Sequence, residues 1–88
     1  MLHVFRKKKF EKDVELAKRR RKDLNKLKIV LEYLGRLEPL PSYYRDHCLK
    51  GEFSGCRECH IEPDWLLIYC IERDYLILIR TGSHSDLY

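Results

Sequence analysis

The chain has 88 residues, 36% charged and 44% hydrophobic, with 18 Lys and Arg against 14 Asp and Glu. A chain of that length makes one domain, residues 1–88, and buries about 60–65% of its unfolded surface, room for one sheet against one or two helices. Any active site therefore has to lie on an open face. No stretch approaches the ~18 apolar residues of a membrane span, and Leu2 to Phe5 is too short for a signal-peptide core. Six Tyr, three Phe and one Trp are too many for a disordered tail. The chain thus reads as cytoplasmic, and its four cysteines as free thiols in a reducing compartment. The charge is unevenly spread: residues 1–28 hold twelve Lys and Arg against four Asp and Glu, the remainder six against ten. One end is suited to a polyanion.

In chain order, Leu2 to Phe5 alternates weakly before a basic run and predicts a short strand. From Lys8 to Arg21 the apolar residues Phe10, Val14 and Ala17 fall on one helical face among charges. Asp23 is suited to cap a second helix, whose Leu24, Leu27, Val30, Leu31 and Leu34 form its apolar stripe and which Gly35 should stop. Pro39-Leu40-Pro41 ends helical structure, and Ser42 to Gly51 reads as a loop. Three strands are then predicted, Phe53 to Ile61, Trp65 to Ile71 and Tyr75 to Arg80, joined at Glu62-Pro63-Asp64 and Glu72-Arg73-Asp74 as an antiparallel meander. The order β-α-α-β-β-β is an α+β fold, an antiparallel sheet with both helices packed on one face.

Cys56-Arg57-Glu58-Cys59-His60 matches the C-x-x-C-H pattern of haem attachment. Within a strand, however, residues three apart point to opposite faces, so Cys56 and Cys59 cannot grip one haem or one zinc. No metal or cofactor is expected. A second group is His47, His60, Asp64 and His84, at the polar ends of an aliphatic sheet. In a meander alternate strands run the same way, so the ends at His60 and Arg80 share one edge and these residues can converge. Imidazoles suit proton transfer near neutral pH. RNA offers a 2′-hydroxyl to deprotonate, a phosphate whose charge a cation such as Arg80 can stabilise, and a leaving 5′-oxygen to protonate. The basic run Lys18, Arg19, Arg20, Arg21 and Lys22 adds a phosphate-binding surface. Trp65 and Tyr88 are either stacking platforms for an unstacked base or core.

The segments Asp46 to Gly51, Arg57 to Tyr69 and Arg80 to Tyr88, with H-x-E-P-D-W followed by R-T-G-x-H, resemble the YafQ branch of the RelE/ParE toxin superfamily over nearly the whole chain. The resemblance implies a toxin of a type II toxin-antitoxin system: a ribosome-dependent endoribonuclease that cuts mRNA in the A site and is neutralised by a cognate antitoxin. It carries His47, His60, Asp64 and His84 over as the acid/base group and Arg80, Trp65, Tyr88 and Lys50 as substrate contacts. His84 is expected to be the general acid, with His47 or Asp64 as base and His60 orienting or stabilising charge. Lys18 to Lys22 are expected to meet ribosomal RNA. The alternatives are a ParE-like gyrase inhibitor and a non-enzymatic RNA-binding domain.

Overall fold

The computed structural model describes residues 1–88. Its elements are β1 (His3–Arg6), α1 (Lys8–Arg19), α2 (Leu24–Gly35), β2 (His47–Cys48), β3 (Arg57–Glu62), β4 (Trp65–Glu72), β5 (Tyr75–Gly82) and α3 (His84–Leu87). The strands form one sheet in the order β1-β5-β4-β3-β2. The expected α+β fold and its meander β3-β4-β5 are present, extended at both edges. β1 joins β5 in parallel, with His3 opposite Tyr75, and two-residue β2 pairs antiparallel with β3. The sheet is therefore mixed. No helix is long and apolar enough to cross a membrane.

Helices α1 and α2 end alike. The Lys22 N–H bonds the Ala17 carbonyl and that of Arg21 bonds Lys18, while Glu38 and Leu37 repeat the pattern on Tyr33 and Leu34. These are Schellman ends, with Arg21 and Leu37 in the left-handed region at φ 59°. Neither is a glycine: Gly35, expected to stop α2, lies inside it, and α1 stops at Arg19 rather than Arg21. Asp23 caps α2 as expected, its side chain accepting from the Asn25 N–H at 3.0 Å.

One face of the sheet meets both helices. Phe10 and Ala17 of α1 and Leu27, Val30 and Leu34 of α2 pack in one cluster with Cys59, Ile61, Trp65, Leu67, Tyr69, Leu76 and Leu78 of the sheet. A fully buried large side chain there contributes roughly 1.5–3 kcal/mol. Strand alternation puts Leu66 and Ile68, also fully buried, on the opposite face with Glu58 and His60.

Two sequence expectations need correction here. The first strand of the meander begins at Arg57, not Phe53, because Gly51–Phe53 form a 3-10 turn and Gly55 takes φ 89°. The cysteines are not all free: Cys48 and Cys59 are, but Cys56 and Cys70 form a disulfide. Pairing Arg57 with Tyr69 brings Cys56 across from Cys70, with Cα atoms 4.4 Å apart. Composition carries no information on that register.

Candidate active site

The open face of the sheet gathers the histidines by register. His47 on β2 lies opposite Glu58 on β3. His60, two residues on, is opposite Leu66, which is opposite Gly82 at the end of β5, so α3 starts in the same row as His60. The three imidazoles form a line: His47 to His60 is 6.2 Å between ring centroids, and His60 to His84 is 5.8 Å. Asp64 comes from the Pro63-Asp64 turn between β3 and β4.

Each ring has a defined partner. One Asp64 carboxylate oxygen accepts the His84 backbone N–H at 2.8 Å and lies 2.6 Å from His84 Nδ1. These two hydrogen bonds, the backbone one first, hold the Asp64 carboxyl below its ordinary range. With Nδ1 engaged, His84 has Nε2 left for a substrate. His47 Nδ1 lies 2.7 Å from the Arg45 carbonyl, which can only accept, so the proton is on Nδ1. His47 Nε2 then faces Glu58 Oε1 at 3.4 Å. His60 Nδ1 approaches the Pro63 carbonyl at 3.4 Å, a loose contact.

Glu58 is the residue that the sequence reading missed. It is 5% exposed, and its other oxygen accepts the Tyr88 hydroxyl at 2.5 Å. Burial first, and then this carboxylate, push the Tyr88 phenol up to about 12. A charged residue within a predicted strand, two residues from a histidine and so on the same face, was the available signal. His47, Glu58 and His60 offer ligand atoms within 4.8 Å of one another. Two imidazoles and a carboxylate suit a borderline divalent cation such as zinc or copper. The C-x-x-C-H motif is not such a site, since Cys59 lies in the core and Cys56 is disulfide-bonded.

Helix α3 has four residues, too few to stand alone, and is pinned along its length. Asp64 holds its first residue. Ser83 and Asp86 form a reciprocal capping box, and Arg20 binds the Asp86 carboxylate with two nitrogens at 2.6 and 3.1 Å. The Arg20 guanidinium, then the Ser83 backbone N–H, hold the Asp86 carboxyl well below the usual carboxylate range. A Cβ at Gly82 would stand 2.9 Å from the Asp86 oxygen, so glycine is required for this close approach. Tyr88, the residue after α3, is tied to Glu58. A parallel strut holds the His47 segment, where Asp46 accepts from Arg57 at 3.0 Å and from the Tyr69 hydroxyl at 2.5 Å.

The structure separates the expected substrate contacts. Trp65 is 1% exposed and donates its indole N–H to Thr81 at 2.9 Å, so its ring belongs to the core and is not offered for stacking. Arg80 is partly buried, with Nε and one Nη bound to Asp13 at 2.7 and 3.2 Å. Lys50 is exposed at the start of the Gly51–Phe53 turn. Among the expected ribosome contacts, Arg20 is committed to Asp86. Lys22 binds Glu62 at 2.8 Å, with its ammonium 5.6 Å from the Trp65 ring centroid. Lys18 meets only Glu15 of its own helix, and Arg19 and Arg21 have no ion-pair partner.

Residues 2–88 match the family model described as the bacterial toxin of type II toxin-antitoxin system, YafQ. This chain belongs to the YafQ toxin family. It is 46% identical over 80 residues to the mRNA interferase toxin YafQ of Escherichia coli K12, covering 90% of this chain and 87% of that protein. YafQ folds also match it in three dimensions. A copper-bound mutant toxin from Helicobacter pylori superposes with a TM-score of 0.96 at 43% identity, each chain fully covered. E. coli YafQ in its DinJ complex gives 0.92 at 42% identity, covering 100% of this chain and 99% of that one.

Proposed function

We propose that this YafQ-family chain is a ribosome-dependent endoribonuclease that cleaves mRNA in the A site of cytoplasmic ribosomes by metal-free acid/base catalysis, and that a cognate antitoxin restrains it. The carrying observation is the row of three imidazoles on the open face, with His84 backed by Asp64. The E. coli relative is an mRNA interferase, and its solved complex with DinJ supports an antitoxin partner here.

The roles follow from which nitrogens are free. His47, holding its proton on Nδ1, accepts the 2′-hydroxyl proton at Nε2, and Glu58 stabilises the imidazolium that results. The 2′-oxygen bonds to the adjacent phosphorus, the bond from phosphorus to the 5′-oxygen breaks, and His84 Nε2 protonates that oxygen. Asp64, already engaged twice by His84, orients the acid rather than serving as the base. His60 stands between the two and stabilises charge on the phosphoryl group. The second Nη of Arg80 has no protein partner and is available to a phosphoryl oxygen. Tyr88, 65% exposed, offers the ring for stacking, and Lys50 a phosphate contact. Arg19 and Arg21, with Lys18, are the cations of the basic run left for ribosomal RNA.

The test is to map the cuts on translated mRNA and identify the new ends. In-frame cuts with a 2′,3′-cyclic phosphate and a 5′-hydroxyl are expected, and His84→Ala should lower the single-turnover rate by about 10²-fold or more with ribosome binding retained. Unaltered mRNA together with loss of DNA supercoiling would favour the gyrase-inhibitor alternative.

A further inference from the structure

Beyond the acid/base row, the molecule has a cationic cleft that shares only Arg80 with the proposed reaction. It encloses about 480 Å³ between Lys7, Lys8 and Lys9 at the start of α1, Glu52 and Phe53 of the 3-10 turn, and Ile79 and Arg80 of β5. Its lysines differ from the cations around the α1–α2 connection. Arg20, Lys22 and Lys26 are neutralised by Asp86 and Glu62, whereas Lys7, Lys8 and Lys9 form no ion pair. Glu52 is the single acid among the lining residues. Three lysines without ion-pair partners lining one concavity, against one carboxylate, raise the local anion concentration, with the Lys7 ammonium 5.9 Å from the Phe5 ring centroid.

The cleft is continuous with the candidate active site. Phe53, half-buried in its wall, meets the Tyr88 ring edge-on with centroids 6.5 Å apart. Tyr88 is bonded to Glu58, which faces His47. A strand leaving the imidazole row past Tyr88 therefore reaches the cleft over the adjoining Phe53 ring. Cations tracking a backbone beside aromatic rings are the arrangement that holds single-stranded nucleic acid. A duplex would present phosphates on a convex surface and leave Phe53 without a base.

We propose that this cleft is a binding site for single-stranded RNA, taking the phosphates of the substrate strand beyond the scissile bond, with Phe53 supporting a base. The proposal rests on the nuclease reading for the identity of the strand, but its test does not depend on cleavage. Binding of a short, fluorescently labelled 2′-O-methyl RNA, which cannot be cut, is followed by anisotropy across a salt series. Replacing Lys7, Lys8 and Lys9 together by Gln should weaken binding at low salt by about tenfold or more. The same change should flatten the log-log salt slope by about 2, from three contacts at about 0.7 each. Phe53→Ala should weaken binding with the slope retained. Lys28→Gln with Arg36→Gln, two exposed cations of α2 and its C-terminal end outside the cleft lining, should leave the oligonucleotide affinity near that of the parent, and thermal midpoints confirm that all variants are folded. Equal losses in this control and in the lysine variant would reduce the effect to net charge and overturn the proposal. So would a lysine variant that binds the oligonucleotide normally but no longer binds ribosomes, which would make the cleft a docking site for ribosomal RNA.

Discussion

A single oxygen of Asp64 serves both the backbone N–H and the ring of His84, at 2.8 and 2.6 Å. One carboxylate thereby sets where α3 begins and which imidazole nitrogen is free. In the proposed reaction Asp64 acts through His84, so the two substitutions should not add. Asp64→Ala is expected to lower single-turnover mRNA cleavage by about tenfold or more, and His84→Ala by about 10²-fold or more. The double variant should be no slower than His84→Ala alone, as for residues acting as a unit. Full additivity would mean that Asp64 touches the substrate independently.

The Arg20–Asp86 pair links the end of α1 to α3, the helix that carries His84, and gives α3 a dependence on pH. Asp86 titrates below its ordinary range in the folded chain. A carboxylate with a depressed folded pKa contributes its stability above the unfolded value, about 4, and loses it as pH falls through the folded value. Protonation must therefore loosen α3 only under acid conditions, below about pH 4, and leave it in place at neutral pH. Protection of the Leu87 and Tyr88 amides, whose N–H groups bond the Ser83 and His84 carbonyls, should fall on acidification in the parent chain when exchange is measured against the unstructured-chain rate at each pH. In Asp86→Asn that protection should already be low at pH 7 and respond less to acid. An unchanged acid response in that variant would assign the loosening to another group.

Much of this architecture is legible in the sequence because its signals are local. The apolar spacing of Phe10, Val14 and Ala17, the Asp23 cap and the aliphatic run beginning at Trp65 each report on a few neighbouring residues. What escaped depends on pairings across the sheet. Glu58 looks like an ordinary surface acid until His47 and Tyr88 meet it, at sequence distances of 11 and 30 residues. Trp65 was equally compatible with stacking and with the core, and its bond to Thr81 decides for the core. Arg20 and Lys22 belonged to a uniform basic run, yet their partners, Asp86 and Glu62, are distant in sequence. Charge counting cannot distinguish a cation used as an internal strut from one left for RNA.

The close grouping of His47, Glu58 and His60 leads to a prediction about added metal. Their ligand atoms lie within 4.8 Å of one another, and the Helicobacter pylori relative was solved with copper bound. In the proposed reaction the His47 Nε2 lone pair takes the substrate proton, and a cation held by that nitrogen would occupy it. Imidazole and carboxylate donors bind copper(II) more tightly than zinc, and both more tightly than manganese. Added copper or zinc should therefore inhibit cleavage, copper at the lower concentration, while EDTA leaves the untreated rate unchanged. Because ligating imidazoles must shed their protons, inhibition should weaken as pH falls. Glu58→Gln should raise the inhibitory concentration. The measurement is the initial cleavage rate on programmed ribosomes in buffered metal, with magnesium held constant. Loss of activity in EDTA at that constant free magnesium, restored by zinc, would reverse the argument and make the cation part of the catalyst.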